Sequence, residues 1–345
     1  MSLQKQYVKF HNTIKLSRES EAYRDAREKD DSIYKKIKDA FKDEGYEIIR
    51  SKILGSMGVH TGIEPLDEDH DIDRGVFITK ESSPDNPVDI KKVVKKVLTD
   101  HGFKESKIKK PCVTADYKSK PIHIDYVVFR EDFNRDVELA VGKEHSNEDN
   151  RKWDSSDPEG LSDWLTWKDE QKTSAQREQY YRLVRYLKRW RDHKYSSNKS
   201  DRKKVYSIGL AIMLRESMKF SIDTSGVADD NQALIDTITN ILDGNYFSLQ
   251  VIPLLSGIYK YDICVNLPKS PYRDVFNDHG EKIGTTLRNR LNSLLSALKE
   301  IRDEDDLNKQ CEKLRSEFGD DFNLPDKIEQ AKAKGPGVLG ISSGA

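Results

Sequence analysis

The sequence predicts an α+β fold, in which a lobe with a mixed sheet and flanking helices is followed by a helical lobe. Three observations carry that prediction. Two apolar runs with alternating polar residues, DIDRGVFI at 71–78 and IHIDYVVF at 122–129, read as strands. A helical pattern at 89–101 lies between them, with Val93, Val94, Val97 and Leu98 on one face. Past about residue 158 the patterns become a run of helices.

The elements follow in order. Residues 14–45 are charge-laced with helical spacing (Ile14, Leu16, Ile33, Tyr34, Ile37, Phe41) and read as one long or two consecutive helices with a solvated face. Residues 46–56 read as a turn, a short strand and a Gly-Ser stop, and residues 64–73 as an acidic loop running into a strand. Residues 81–89 hold two prolines and read as a loop. Strands are expected at 111–117 and 121–129, with Lys118-Ser119-Lys120 as their turn. Leu183, Val184, Leu187 and Trp190 give 173–193 the clearest helical stripe, and 204–219, 231–243 and 284–303 read as further helices. The expected domains are 1–160, a catalytic lobe with a long N-terminal helix, 161–330, a helical lobe, and 331–345, a small, Gly/Ser-rich flexible tail. A chain of 345 residues suits about two domains at roughly 150 residues each.

Composition excludes several functions. Lys plus Arg is 59 and Asp plus Glu is 60, a net charge of -1, so no strong nucleic-acid binding by bulk charge is expected. Cys112, Cys264 and Cys311 form neither a zinc spacing nor a disulfide framework, which points to a reducing, cytoplasmic setting. The N-terminus has no apolar signal region, and no run of about 18 apolar residues marks a membrane span. There is no Walker A sequence after Gly55-Ser56-Met57-Gly58 and no HExxH. Asp67, Asp69 and Asp71 mimic an EF-hand start, but Ile72 and Ile78 stand where the loop needs Gly and Glu.

The chemistry-bearing residues form a constellation. Gly55 allows a tight turn with exposed N–H groups, and Ser56 adds a hydroxyl, so the pair suits phosphate oxygens; read alone, it is a turn. Asp71 and Asp73 share one strand face about 6.6 Å apart, leaving Ile72 for the core. Such a pair suits a divalent cation, or equally a solvated strand end. Asp125 shares a face with His123 in the later strand and is costly to bury uncompensated. Three carboxylates about 5 Å apart repel by about 3 kcal/mol per pair at an effective dielectric of about 20, and bound cations reverse that sign. Between Arg177 and Lys204 stand eleven Lys/Arg against three acids. Lys188 and Ser207, at a helix start, suit a triphosphate, whereas Arg177, Arg202, Lys203, Lys204 and the Lys91–Lys110 stretch read as solvated surface.

Gly55-Ser56, Asp71-x-Asp73 fifteen residues on, and Asp125 on a later strand together resemble the polymerase-β-like nucleotidyltransferases. Leu139-Ala140-Val141-Gly142, the segment from Arg151 to Pro158, Asp163-Trp164, the segment from Arg185 to Asp192 and Ser207-Ile208 resemble the bacterial cyclic GMP-AMP synthases. These are the CD-NTases of CBASS antiphage operons, similar in plan to animal cGAS and oligoadenylate synthases. The resemblance implies an active site in the cleft between the lobes. It implies two Mg²⁺ (or Mn²⁺) on Asp71, Asp73 and Asp125, with Asp125 helping to deprotonate a ribose hydroxyl. It implies that Gly55, Ser56, Lys188 and Ser207 hold the donor triphosphate, and that ATP, GTP or other NTPs become a cyclic nucleotide messenger. Ile208 stands where animal relatives often carry a stacking aromatic, leaving Tyr206 or Tyr126 for that task. The Gly344-Ala345 end resembles members conjugated by ubiquitin-like ligation enzymes. A nucleotidyltransferase acting on RNA or protein would share the aspartates, and an inactive nucleotide-binding member is the reading from another class.

Overall fold

A computed structural model describes residues 2–16, 19, 21–66, 70–101, 103–117, 122–250 and 259–325. The Lys118-Ser119-Lys120 turn, Asp67, Asp69 and the 331–345 tail with Gly344-Ala345 lie outside the described residues. In chain order the elements are α1 (Leu3–Ile14), α2 (Glu21–Asp43), β1 (Ile48–Ile53), α3 (Gly55–Gly58), β2 (His70–Thr79), α4 (Pro87–Asp100), β3 (Lys104–Ile108), β4 (Val113–Tyr117), β5 (Ile122–Glu131), β6 (Val137–Val141) and β7 (Lys152–Ser155). Then follow α5 (Pro158–Leu165), α6 (Ser174–Lys194), α7 (Lys199–Lys204), α8 (Ser207–Ser217), α9 (Asp230–Asp243), β8 (Phe247–Gln250), β9 (Lys260–Ile263), α10 (Gly280–Arg302) and α11 (Leu307–Phe318). Among the described residues no helix is long and apolar enough to cross a membrane.

The chain forms two units. One holds the large sheet and spans Leu16–Gln171 with Asn266–Arg273. Its seven strands run β1-β2-β5-β4-β3, with β6 on β5 and β7 on β6. Strands β2 and β5 are parallel, and β1, β4 and β6 pair antiparallel with them. Period-two alternation decides the layers. Ile72, Val76, Ile78, Ile124, Tyr126 and Val128 pack under Ile33, Ile37 and Phe41 of α2 and Val88, Val94 and Leu98 of α4. Asp71, Asp73 and Asp125 fall on the alternate positions and so on the other face. Helix α4 starts where its sequence says it should: Asn86 caps the Val88 N–H at 3.1 Å and Pro87 fills the first turn.

The other unit comprises Met1–Lys15, Lys172–Val265 and Asp274–Ala345. Residues 1–15, grouped by the sequence reading with the catalytic lobe, therefore pack among the helices. The cause is the stripe Tyr7, Phe10 and Ile14, each at most 1% exposed. Phe10 stacks on Tyr186 of α6 at 5.3 Å and meets Phe318 of α11 at 5.3 Å. Buried polar groups complete the seam: the Tyr7 hydroxyl donates to Asn231 at 2.8 Å and the Tyr186 hydroxyl donates to Tyr7 O at 2.8 Å. The expected boundary at 160 falls inside α5, which stays with the sheet because Glu159 pairs with Arg50 (3.0 Å) and Lys52 (3.4 Å). Residues 266–273 rejoin the sheet unit late in the chain, where Ser270 O accepts from Asp157 N at 3.2 Å.

Candidate active site

The site starts at a turn that only glycine tolerates. Gly55 has φ +56°, and a Cβ there would lie 1.9 Å from Asp73 Oδ2. The turn is fixed to strand β2, because Leu54 N donates to Asp73 O at 2.8 Å. Ser56 follows on the single turn α3, its carbonyl accepting from Thr61 N at 2.8 Å. Gly55-Ser56 and Asp73 are thus one local structure, although eighteen positions separate Gly55 from Asp73.

Strand pairing supplies the rest. Parallel register places Asp73 beside Asp125 and Asp71 beside His123, and β4 puts Thr114 against Asp125 from the other edge. Burial, then the Asp125 and Asp71 charges, push the Asp73 carboxyl up to about 7. Burial also pushes Asp125 upward, but hydrogen bonds from His123 and Thr114, then the Lys109 charge, hold it below the usual carboxylate range. His123 Nε2 lies 3.0 Å from Asp125 Oδ1 and 2.7 Å from Thr114 Oγ1. The Cys112 thiol donates to Asp125 Oδ2 at 3.3 Å, and Lys109 Nζ lies 3.9 Å from Oδ1. Burial and the adjacent carboxylate keep that thiol protonated.

This donor set fits a divalent cation in its chemistry. Two carboxylates stand side by side in the sheet, and a carboxyl pushed up to about 7 is one whose proton a cation would displace. As the side chains stand, no group of three or more His, Cys, Asp or Glu among the described residues converges on one point. Asp125 is turned toward His123 and Cys112 instead.

Several expectations need correction. Lys91 is not part of a solvated face: it is 1% exposed, and its ammonium donates to Lys109 O (2.7 Å), Lys110 O (2.9 Å) and Gly142 O (2.8 Å). Burial lowers it to about 8. It pins the segment leading to Cys112 and Asp125 against the end of β6, because a buried ammonium must find acceptors. Arg202 is likewise buried at 5% exposure. Tyr126 cannot stack on a base from this face. It points into the core, where its hydroxyl donates to Asp30 Oδ1 at 3.0 Å. Arg74, which the sequence reading passed over, lies on that same core face. It makes bonds of 2.8 and 2.6 Å to Asp30 and 2.5 Å to Asp31.

Lys188 and Ser207 belong to the helical unit. Lys188 is 5% exposed on α6, and Ser207 opens α8, its hydroxyl accepting from Arg191 Nη1 at 2.6 Å. Arg191 also donates to Val205 O at 3.1 Å, so it fixes the entry to α8. Tyr206, just before that helix, packs on Phe276 at 5.7 Å and His279 at 6.4 Å.

Residues 50–129, which hold this turn and all three aspartates, match the family model of the nucleotidyltransferase domain of DncV-like cyclic GMP-AMP synthases. No curated protein matches the chain. Solved structures do. The Vibrio cholerae DncV cyclic AMP-GMP synthase is 19% identical, with TM-score 0.57 over 79% of this chain and 69% of that one. Escherichia coli MS115-1 CdnC, solved with ATP, is 14% identical, with TM-score 0.64 over 92% and 98%. The Bradyrhizobium diazoefficiens CD-NTase CdnG, solved with GTP, is 15% identical, with TM-score 0.64 over 93% and 96%. At these identities the likeness is one of fold.

Proposed function

We propose that the chain is a nucleotidyltransferase of the bacterial CD-NTase family, as its match to the DncV-like nucleotidyltransferase domain over residues 50–129 and its likeness in fold to DncV suggest, and that it condenses NTPs into a cyclic di- or oligonucleotide messenger of cyclic GMP-AMP type. The observation that carries the reading is the pairing of Asp73 with Asp125, with Gly55 locked against Asp73, inside the matched domain. Asp71, Asp73 and Asp125 would hold two Mg²⁺, or Mn²⁺. Those ions supply neutralisation of the phosphate charge and a lowered pKa for the attacking hydroxyl. The backbone N–H groups at Gly55 and the Ser56 hydroxyl bind the donor triphosphate, with Lys188 and Ser207 as its contacts from the helical unit.

The reaction joins the ribose hydroxyl oxygen of one nucleotide to the α-phosphorus of another. The bond from that phosphorus to pyrophosphate breaks, and Asp125 takes the hydroxyl proton and passes it to solvent. A second such step on the linear intermediate closes the ring. An antiphage role and conjugation at Ala345 belong to the same reading. Deleting the last three residues and looking for lost conjugates in cells holding the operon tests the latter.

The test of the whole is incubation of the full chain with Mg²⁺, or Mn²⁺, and four NTPs labelled one at a time, followed by phosphatase. A surviving labelled species, absent with Asp71→Ala/Asp73→Ala, is the expected result. Label appearing only in added RNA or protein would contradict it and establish the alternative transferase.

A further inference from the structure

Beside Asp125 the sheet unit holds a pocket of about 440 Å³ that none of the roles above uses. Its place follows from the sheet. Strand β5 pairs along one edge with β4 through Tyr126 and with β6 from Phe129 onward. The pocket opens where those partners meet, against Lys110 and Pro111 before β4 and Leu139 and Val141 on β6. Gly142 N donates to Lys110 O at 3.0 Å and closes that seam. Cys112, directly after Pro111, touches Asp125 at 3.3 Å. Leu139 clusters with Phe77 and Phe129, which share their strand face with Asp73 and Asp125. The pocket therefore lies on the carboxylate face, next to the residue assigned to the acceptor hydroxyl.

Its chemistry is that of a base site. Leu139, Val141 and Pro111 give apolar walls against which a flat ring packs, and the volume lies in the usual range of about 300–1,000 Å³ for small-molecule sites. Charged residues also line it: Lys110, Asp149, Asp157 and Arg273, and on β7 the pair Lys152 and Asp154. Strand β7 registers Asp154 against Leu139 and Lys152 against Val141, which sets both on the same face. Lys152 Nζ lies 3.0 Å from Asp154 Oδ1, with 59% and 36% of the two side chains exposed. The pair is available to a ligand rather than sealed in the fold. Guanine presents two adjacent N–H donors, at N1 and N2, which one carboxylate accepts together, and beside them O6, which an ammonium can donate to. Adenine sets a lone pair at N1 beside a single amino group, so a carboxylate there meets repulsion on one of its two oxygens.

We infer that this pocket seats the base of the acceptor nucleotide and that Asp154 and Lys152 make it select guanine. The inference rests on the reading that the face around Asp125 condenses NTPs. Its test separates the two. GMP and AMP are titrated by calorimetry into the full chain, the Asp154→Asn variant and the Lys152→Met variant, with the unfolding midpoint of each recorded. Wild type should bind GMP at least tenfold more tightly than AMP. Asp154→Asn is isosteric at a part-exposed position and should reverse that preference, because an amide pairs with adenine through one acceptor and one donor. Lys152→Met should weaken GMP severalfold and leave AMP unchanged. Equal affinities in wild type, no saturable binding, or variants that shift both nucleotides alike would overturn the inference. If selectivity follows Asp154 but no phosphatase-resistant product forms, the synthase reading fails and this one stands. If product forms with a base choice indifferent to Asp154, the reverse holds.

Discussion

Strands β2 and β5 carry charge on both faces, and the two faces treat it in opposite ways. On the core face Arg74 and Asp30 are 5% and 0% exposed, and each is fully engaged. Arg74 also bonds Ser51 at 3.1 Å and stacks 4.5 Å from the Tyr34 ring, while the Tyr126 hydroxyl satisfies Asp30. One residue earlier, on the other face, Asp73 adjoins Asp125 in register, with Lys109 Nζ at 3.9 Å and His123 Nε2 at 3.0 Å from Asp125 Oδ1. The same alternation thus builds a settled ion pair behind the sheet and an excess of negative charge in front of it. A buried pair with every bond made holds structure; carboxylates forced together define a site that asks for a cation.

The largest expected effect falls on the front face. Asp71→Ala/Asp73→Ala should abolish turnover, by about 10⁴-fold or more in kcat, because the carboxylates proposed to hold the ions are gone; the variant should stay folded. On the back face Arg74→Met should do the opposite. It leaves the buried Asp30 with only the part-exposed Arg27 (3.0 Å) and the Tyr126 hydroxyl (3.0 Å) as side-chain partners, and denaturant unfolding should show a loss of about 2–4 kcal/mol. Arg74→Met with Asp30→Leu should recover most of that loss, and failure to recover would mean the pair does more than balance its own burial. Gly55→Ala should lower turnover about 100-fold, since a side chain at φ +56° is strained and its Cβ falls on Asp73 Oδ2.

The smallest effect sharpens the comparison through pH. With its pKa raised to about 7, Asp73 keeps its proton longer in the folded chain than in the unfolded one. Its contribution to stability is therefore complete at pH below about 4 and is lost as pH rises through about 7. The metal-free Asp73→Asn variant has no such titration. At pH 8 it should unfold later than wild type, by on the order of 1–3 kcal/mol, with the two converging near pH 4. A variant less stable than wild type at pH 8 would mean that the ionised Asp73 stabilises the fold.

The sequence made the front face legible and the back face nearly invisible, for a physical reason. Gly-Ser, Asp-x-Asp and a lone Asp in an apolar strand are local patterns that conflict with the core around them, so they stand out. Period two also placed Ile72 and Ile124 in the core. Arg74 and Asp30 lie 44 residues apart, in an acidic strand start and a charge-laced helix, where either reads as solvated. Lys91 was hidden in the same way among eight lysines between positions 91 and 110. Nothing in α4 alone says that its ammonium meets carbonyls from two loops. Tyr126, one of the two stacking candidates, alternates with Asp125, so the strand period sends it to the core. The docking of α1 among the helices depends on Tyr186 and Phe318, far along the chain, and its own spacing says only that one face is apolar.

The most direct test of the central claim, that the front carboxylates form a cation site, is Mn²⁺ binding to the full chain followed by electron paramagnetic resonance at pH 7.5. Wild type should bind Mn²⁺ with release of a fraction of a proton at pH 7.5, rising toward one proton per ion when the titration is repeated at pH 6, as the Asp73 carboxyl gives up its hydrogen. Asp71→Ala/Asp73→Ala should lose both the signal and the proton. Equal Mn²⁺ binding by wild type and that variant would contradict the account.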